Sequence, residues 1–293
     1  MSSVAVCLLG FGEVGQVLSR DLRPRVSRLS AWDLLFADTD SALRRAAARH
    51  DVVAGSDAKG AVADVDLVIS AVTAAQIGEA ARSVAPHLKP GAWFFDLNST
   101  SPAAKQNTAA IIDAAGGRFV EAAIMSPISP RCIASPMLLG GTHAAAFLPL
   151  ARELGFSGAE VFSGKLGAAS AAKMCRSVIV KGMEALMLES LLTARQHEVD
   201  DAVLDSLYSL FPSDDWRKTA HYMISRALTH GRRRAEEMRE AARTVSEVGL
   251  SSRMSSACAD WEDWASRHPT ATTHQEIGAM LDALLAQRGS PPC

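Results

Sequence analysis

Short apolar runs and amphipathic stretches alternate along the first half of the chain, and only amphipathic stretches follow. Apolar, often β-branched residues cluster at 4–9, 29–36, 51–54, 67–72, 92–97 and 118–124, and each cluster predicts a buried strand. Between them, apolar positions recur at helical spacing over 14–22, 41–50, 74–88 and 102–115. Strand and helix in alternation predict βαβ units, hence a parallel sheet with right-handed crossovers. A helix at 144–154 and a strand at 159–162 extend that sheet. From Gly164 onward the β-branched runs stop, and long amphipathic stretches occupy 168–197, 201–210, 216–241, 252–266 and 274–288. The expected architecture is a doubly wound α/β domain over 1–163 and an all-α domain over 164–293. The tail at 289–292 is expected to fray.

Composition narrows the class. With 293 residues, 48% hydrophobic and 21% charged, the chain is long enough for two cores and is not a disordered one. Thirty basic residues against 32 acidic ones leave a net charge of -2, so no whole-chain field favours nucleic acid or a membrane surface. An aromatic share of 5% leaves Ala, Leu and Val to supply the apolar content, which suits helices packed on a parallel sheet. The five cysteines, Cys7, Cys132, Cys175, Cys258 and Cys293, include no CxxC pair, and the eight histidines form no HExxH motif. Neither a disulfide framework nor a metal site is expected. Cys7 and Cys175 read as small buried hydrophobes. The apolar start at 4–9 lacks a basic flank and runs into glycine, as a first strand does and a signal peptide does not. The most apolar long helix carries Lys173, Arg176, Lys181 and Glu184, which argues against a bilayer span. Lys181 and Glu184 read as ordinary exposed or interfacial charges. The cytoplasm is the default location.

One motif carries specific chemistry. Gly10-Phe11-Gly12-Glu13-Val14-Gly15 is a GxGxxG placed directly after a strand and at the opening of a helix. In a Rossmann domain the first glycine permits the tight turn and the second lets the backbone approach a pyrophosphate. The third lets the helix pack against the strand with its positive N-terminus toward the phosphates. Asp33 follows Gly15 by eighteen residues, close to the spacing of the carboxylate that accepts from the adenosine ribose hydroxyls. A carboxylate there favours NAD over NADP, while Arg44 and Arg45 just downstream keep NADP open. Val72 ends the fourth predicted strand and Asn98 follows the fifth, at the carboxyl edge of the sheet where ligands bind, and Ser99 comes next. The alternative for the motif is a glycine-rich turn with no nucleotide.

Further along, the sequence resembles the β-hydroxyacid dehydrogenase and 6-phosphogluconate dehydrogenase-like superfamily. The glycine turn is one part of that resemblance. Asp96-Leu97-Asn98-Ser99-Thr100-Ser101-Pro102 is similar to the D-x-S-T-x-x-P stretch beside the nicotinamide, and Phe119-Val120-Glu121-Ala122-Ala123-Ile124-Met125-Ser126-Pro127 stands at the place of the substrate-gripping D-A-P-V-S-G-G. Gly164-Lys165-Leu166-Gly167 followed by Lys173 resembles the catalytic lysine motif. The wording around Lys173-Met174-Cys175-Arg176-Ser177, Lys181-Gly182 and His230-Gly231-Arg232-Arg233-Arg234 looks like a subgroup with a distinctive C-terminal domain. The resemblance implies a Rossmann domain, an NAD(P) cofactor, and hydride transfer with Lys173 as general acid/base.

Departures from the family pattern also inform. Met125, Ser126 and Pro127 replace a serine and two glycines, and proline has no N–H to offer a substrate carboxylate. Arg176 replaces an asparagine, and Glu236 and Glu237 fall where the family has a Lys-Asp pair. A lysine serves as acid/base once burial and neighbouring cations bring its pKa toward ~7–8, and Arg176 at i+3 is such a neighbour and a fork for an anion. Asn98 is read as the amide that positions nicotinamide or the substrate hydroxyl. Met125, Ser126 and Arg176 are candidate substrate residues. So are His230, Arg234 and Glu237, which share a helix face, with a solvated charged face as the plainer reading. The expected function is an oxidoreductase acting on a hydroxy acid or related anionic carbonyl compound, working as a homodimer because the helical half cannot bury all its apolar faces alone. The alternatives are an imine reductase on the same fold, against which Lys173 argues, and a catalytically silent nucleotide-binding protein.

Overall fold

Each apolar run predicted as a strand in the first 163 residues contributes a strand to one sheet. The computed structural model describes residues 3–210, 212 and 215–287. The predicted tail at 289–292 and Cys293 lie outside the described residues. In chain order the elements are β1 (Ala5–Leu9), α1 (Glu13–Leu22), β2 (Arg28–Trp32), α2 (Ala42–Arg49), β3 (Val53–Ala54), α3 (Ala58–Val62), β4 (Leu67–Ser70), α4 (Ile77–Val84), β5 (Trp93–Asp96), α5 (Pro102–Ala114), β6 (Arg118–Ile124), β7 (Met137–Gly140), α6 (Ala144–Glu153) and β8 (Ala159–Ser163). The strand order is β3-β2-β1-β4-β5-β6-β7-β8. Every neighbouring pair is parallel except β6–β7. Side chains alternate across the sheet, so Val6 and Leu8 join one apolar layer with Leu18, Leu22, Phe95 and Phe147, while Cys7 and Leu9 join the other with Val62, Ala81 and Phe119. A sheet covered on both faces needs such near-continuous apolar strands.

Two local expectations are corrected, and one short helix escapes the pattern. The predicted strand at 29–36 ends at Trp32, because Asp33 Oδ1 accepts the Leu35 N–H at 3.0 Å and caps a 3₁₀ turn over Leu34–Ala37. The sheet is not wholly parallel: β7, a short Met-Leu-Leu-Gly run without β-branched residues, returns antiparallel to β6. Helix α3, five residues long and capped by Asp57, is below the length that periodicity detects.

The second region is helical, with α7 (Ala168–Gln196), α8 (Asp200–Leu210), α9 (Trp216–Glu247), α10 (Arg253–Ala265) and α11 (Ile277–Ala286). Contacts divide the chain into units 1–173 and 174–293, with the break inside α7. In the second unit Leu188, Leu191, Leu204, Trp216, Ile224, Trp264, Met280 and Leu284 share a core. Cys175 is exposed, contrary to the expectation, while Cys7 is buried. Among the described residues no helix is long and apolar enough to cross a membrane.

Candidate active site

The carboxyl ends of β1, β2, β4, β5 and β6 gather the residues that the sequence singles out. Gly10 sits at φ +95, and a Cβ there would run into the Ala71 carbonyl at the end of β4. Gly15 lies in the first turn of α1, and a Cβ would collide with the Gly10 carbonyl, so the helix closes directly onto the turn. Gly12, by contrast, has nothing within 4 Å of its would-be Cβ. The turn is thus shaped from behind and open in front, at the N-terminus of α1, where backbone N–H groups favour an anion. Asp33 follows β2, and its Oδ2 accepts the Phe11 N–H at 2.9 Å, which ties the carboxylate to the glycine turn. These features fit the pyrophosphate and adenosine ribose of a dinucleotide. Arg44 and Arg45, the residues that keep NADP open, donate to the Phe36 and Asp40 carbonyls.

Lys173 lies in the second turn of α7, half-buried, and its Nζ donates to Ser99 Oγ at 2.6 Å. The structure therefore joins two motifs separated by 74 residues. The α7 backbone is held in place nearby, since Ser170 Oγ donates to the Thr100 carbonyl. Asn98 is buried, and its amide is spent inside the protein. Its Nδ2 donates to Ser70 Oγ and Asp96 Oδ1, and its Oδ1 accepts the Val72 N–H at 2.7 Å. Val72 is in that way fixed beside Gly10, and Asn98 acts on the loop ends and not with a free amide.

Two buried charges here were missed as functional candidates. Glu121 is fully buried, and its Oε1 accepts the Gly167 N–H at 2.8 Å and the Ala169 N–H at 3.3 Å, capping α7 with a carboxylate. Burial pushes the Glu121 carboxyl above its ordinary range, against the pull of Lys105 and the α7 amides. Lys105 donates to Asp96 Oδ2 at 3.0 Å, and both side chains are buried. A glutamate inside the apolar run 118–124 was the available signal for Glu121. Lys105 has no comparable signal, because a single lysine on a helix reads as solvated.

The remaining predicted residues lie elsewhere or are otherwise engaged. Met125 and Ser126 follow β6; the Met125 N–H donates to the Pro136 carbonyl, and Ser126 Oγ to the Pro127 carbonyl. In the second unit Arg176 is exposed and His230 half-buried. Arg234 is buried and paired with Glu184 and Glu262, so its guanidinium is neutralised by protein carboxylates. Glu237 accepts from Lys181 and pairs with Arg233. Lys181 and Glu184 are therefore not exposed charges but parts of a buried ionic network.

Sheet order, glycine turn and Asp33 together define a Rossmann-type NAD(P)-binding domain with a helical region following it. Residues 5–147 match the NAD binding domain of 6-phosphogluconate dehydrogenase, and residues 194–264 match a domain of unknown function, DUF1932. The chain belongs to the 6-phosphogluconate dehydrogenase-like family that carries this C-terminal domain. It is similar to the conserved hypothetical protein from Sinorhizobium meliloti 1021, with 35% identity, 98% of this chain and 97% of that chain covered, and a TM-score of 0.76. The conserved protein MTH1747, described as structurally similar to 3-hydroxyacid dehydrogenases, is 29% identical over 90% of this chain and 97% of its own, with a TM-score of 0.69. A 3-hydroxyisobutyrate dehydrogenase from Mycobacterium tuberculosis, solved with L-serine, shares the fold at 18% identity, covering 98% and 100% of the two chains with a TM-score of 0.71.

Proposed function

We propose that this protein is an NAD-dependent dehydrogenase or reductase acting on a hydroxy acid or a related anionic carbonyl compound, with Lys173 as general acid/base. The observation that carries the reading is the 2.6 Å contact between Lys173 Nζ and Ser99 Oγ, in the same unit as the glycine turn. A nicotinamide dinucleotide bound at that turn would supply the hydride donor or acceptor. Gly10, Phe11, Gly12, Glu13, Val14 and Gly15 hold its pyrophosphate side, Asp33 its adenosine ribose, and Val72 and Ser99 border its nicotinamide side. The Asp33 carboxylate would repel a 2′-phosphate, which supports NAD over NADP. As an amine, Lys173 takes the hydroxyl proton of a carbinol; as an ammonium it returns one to a carbonyl oxygen. Ser99 fixes the direction of Nζ, and Asn98 fixes the loop that carries Ser99. The same reading makes the protein a cytoplasmic homodimer. Unpaired thiols at Cys7, Cys132, Cys175 and Cys258 support a reducing compartment.

The test is a fluorescence titration with NADH and NADPH, joined to a turnover panel of 3-hydroxy acids, their keto acids and cyclic imines. NADH should bind more tightly than NADPH. Lys173→Ala should lower kcat by about 10²–10⁴-fold with NADH affinity unchanged. Full activity in that variant overturns the acid/base role. NADH binding without turnover over the panel favours a silent nucleotide-binding protein, and turnover of imines alone favours an imine reductase.

A further inference from the structure

Asp96 and Glu121 are cross-strand neighbours in the β5–β6 register, and both are fully buried. Two carboxylates side by side inside a core are costly, because burial penalises charge and like charges on neighbouring strands repel. Lys105, from α5, meets that cost: its Nζ donates to Asp96 Oδ2 at 3.0 Å and to the Asp96 carbonyl at 3.2 Å, and its charge also acts on Glu121. The other oxygen of Asp96 accepts the Asn98 N–H at 3.1 Å, one residue before Ser99. Glu121 Oε1 accepts from Gly167 and Ala169, the latter one helical turn before Lys173. Each carboxylate thus grips the segment beside one member of the Lys173–Ser99 contact. Gly140, the register partner of Glu121 on β7, leaves the room this needs, since a Cβ there would collide with Glu121 Oε1. Replacing a buried ionic trio by apolar residues of similar volume is often neutral or stabilising, so stability alone does not account for these three.

We propose that Asp96 and Glu121 are positioning residues, paired across β5 and β6 around Lys105, that bring Ser99 and Lys173 into contact from opposite sides. The activity arm of this proposal rests on the reading of Lys173 as the acid/base; the structural arm does not. The test uses the full chain with its lysines reductively ¹³C-methylated, the Lys173 signal being assigned by its loss in Lys173→Arg. In Glu121→Ala the Lys173 signal should move toward that of solvated lysines, and the Gly167, Ala169 and Ser170 amides should exchange faster. Turnover should fall through kcat, on the order of 10²-fold, with KM and NADH affinity held. Glu121→Gln, which keeps an acceptor oxygen at the same reach, should rescue most of each effect. Gly140→Ala, which pushes on the carboxylate without removing it, should give the Lys173 shift even if Glu121→Ala does not fold. An unchanged Lys173 signal and unchanged exchange in a folded Glu121→Ala or Gly140→Ala overturn the proposal. So does a parallel fall of kcat, substrate affinity and NADH affinity with no rescue by Gln. If the wild type turns over nothing in the panel, the functional reading fails while the Lys173 signal and the exchange data still decide the positioning.

Discussion

Gly12 and Gly15 stand three residues apart in one motif, yet an added methyl group meets different surroundings at each. At Gly12 a Cβ faces open space and the backbone sits at φ -68, a value alanine adopts freely. Gly12→Ala should therefore melt with the wild type and lose NADH affinity, because the methyl occupies the space in front of the turn. At Gly15 the methyl meets the Gly10 carbonyl, so Gly15→Ala should cost about 1–3 kcal/mol of stability as well. Thermal melts paired with NADH titrations separate the two; equal melting losses would contradict the open-front geometry. These residues were legible in the sequence because glycine's role follows from spacing alone. Asn98 was legible only in part: its place at a strand end could be read, but its amide partners Ser70, Asp96 and Val72 come from other elements. Lys105 shows the same limit, since its pairing with Asp96 on another element leaves no periodic trace.

At the scale of elements, α7, α9 and α10 enclose charges that a periodicity argument would place outside. Along α7 the buried positions Met174, Ser177, Lys181, Glu184, Leu188 and Leu191 follow helical spacing, so Lys181 and Glu184 fall within the buried stripe itself. The sequence held that stripe, but a lysine and a glutamate in it read as surface charges until Glu237 and Arg234 are seen opposite them. Arg234 lies between Glu184 and Glu262, and replacing it by leucine leaves two buried carboxylates unpaired, a loss of about 3–5 kcal/mol in chemical denaturation. Within this triad burial pushes the Glu262 carboxyl up to about 8, Arg234 opposing and the Glu184 charge adding to the rise. The folded protein then holds a proton that the unfolded chain releases above the ordinary value of 4.5. Glu262 thus contributes stability that is complete below that value and is lost as pH rises toward about 8. Melting temperature should fall from pH 5.5 to 8.5, and Glu262→Gln should flatten the slope. An equal slope in that variant would move the pH dependence to other groups.

At the scale of the whole molecule, the first half was readable as a Rossmann domain because strand and helix periods alternate, while the composition shift marks the last strand and not the last contact. Glu121 and Thr100 hold the first turn of α7 within the first unit, which carries the break on to Lys173. The second unit raises the question of association. While α7 buries Lys181 and Glu184, it exposes Ile179, Val180, Met183 and Leu186, with Ile179 66% and Leu186 56% exposed. Ile179, Met183 and Leu186 stand at i, i+4 and i+7, one stripe along a helix. Burying such side chains is worth roughly 1.5–3 kcal/mol each, and a two-fold axis beside α7 would cover the stripe with its own copy. A stable dimer needs about 1,200–2,000 Å² in total, more than four side chains per protomer provide, so a dimer built on this stripe needs further surface around it. Sedimentation at micromolar concentration should give a dimer, and Ile179→Asp with Leu186→Asp should give a monomer. Because the glycine turn and Asp33 lie wholly in the first unit, that monomer should bind NADH with wild-type affinity. A wild-type monomer overturns the homodimer, and a double variant that stays dimeric moves the interface away from α7.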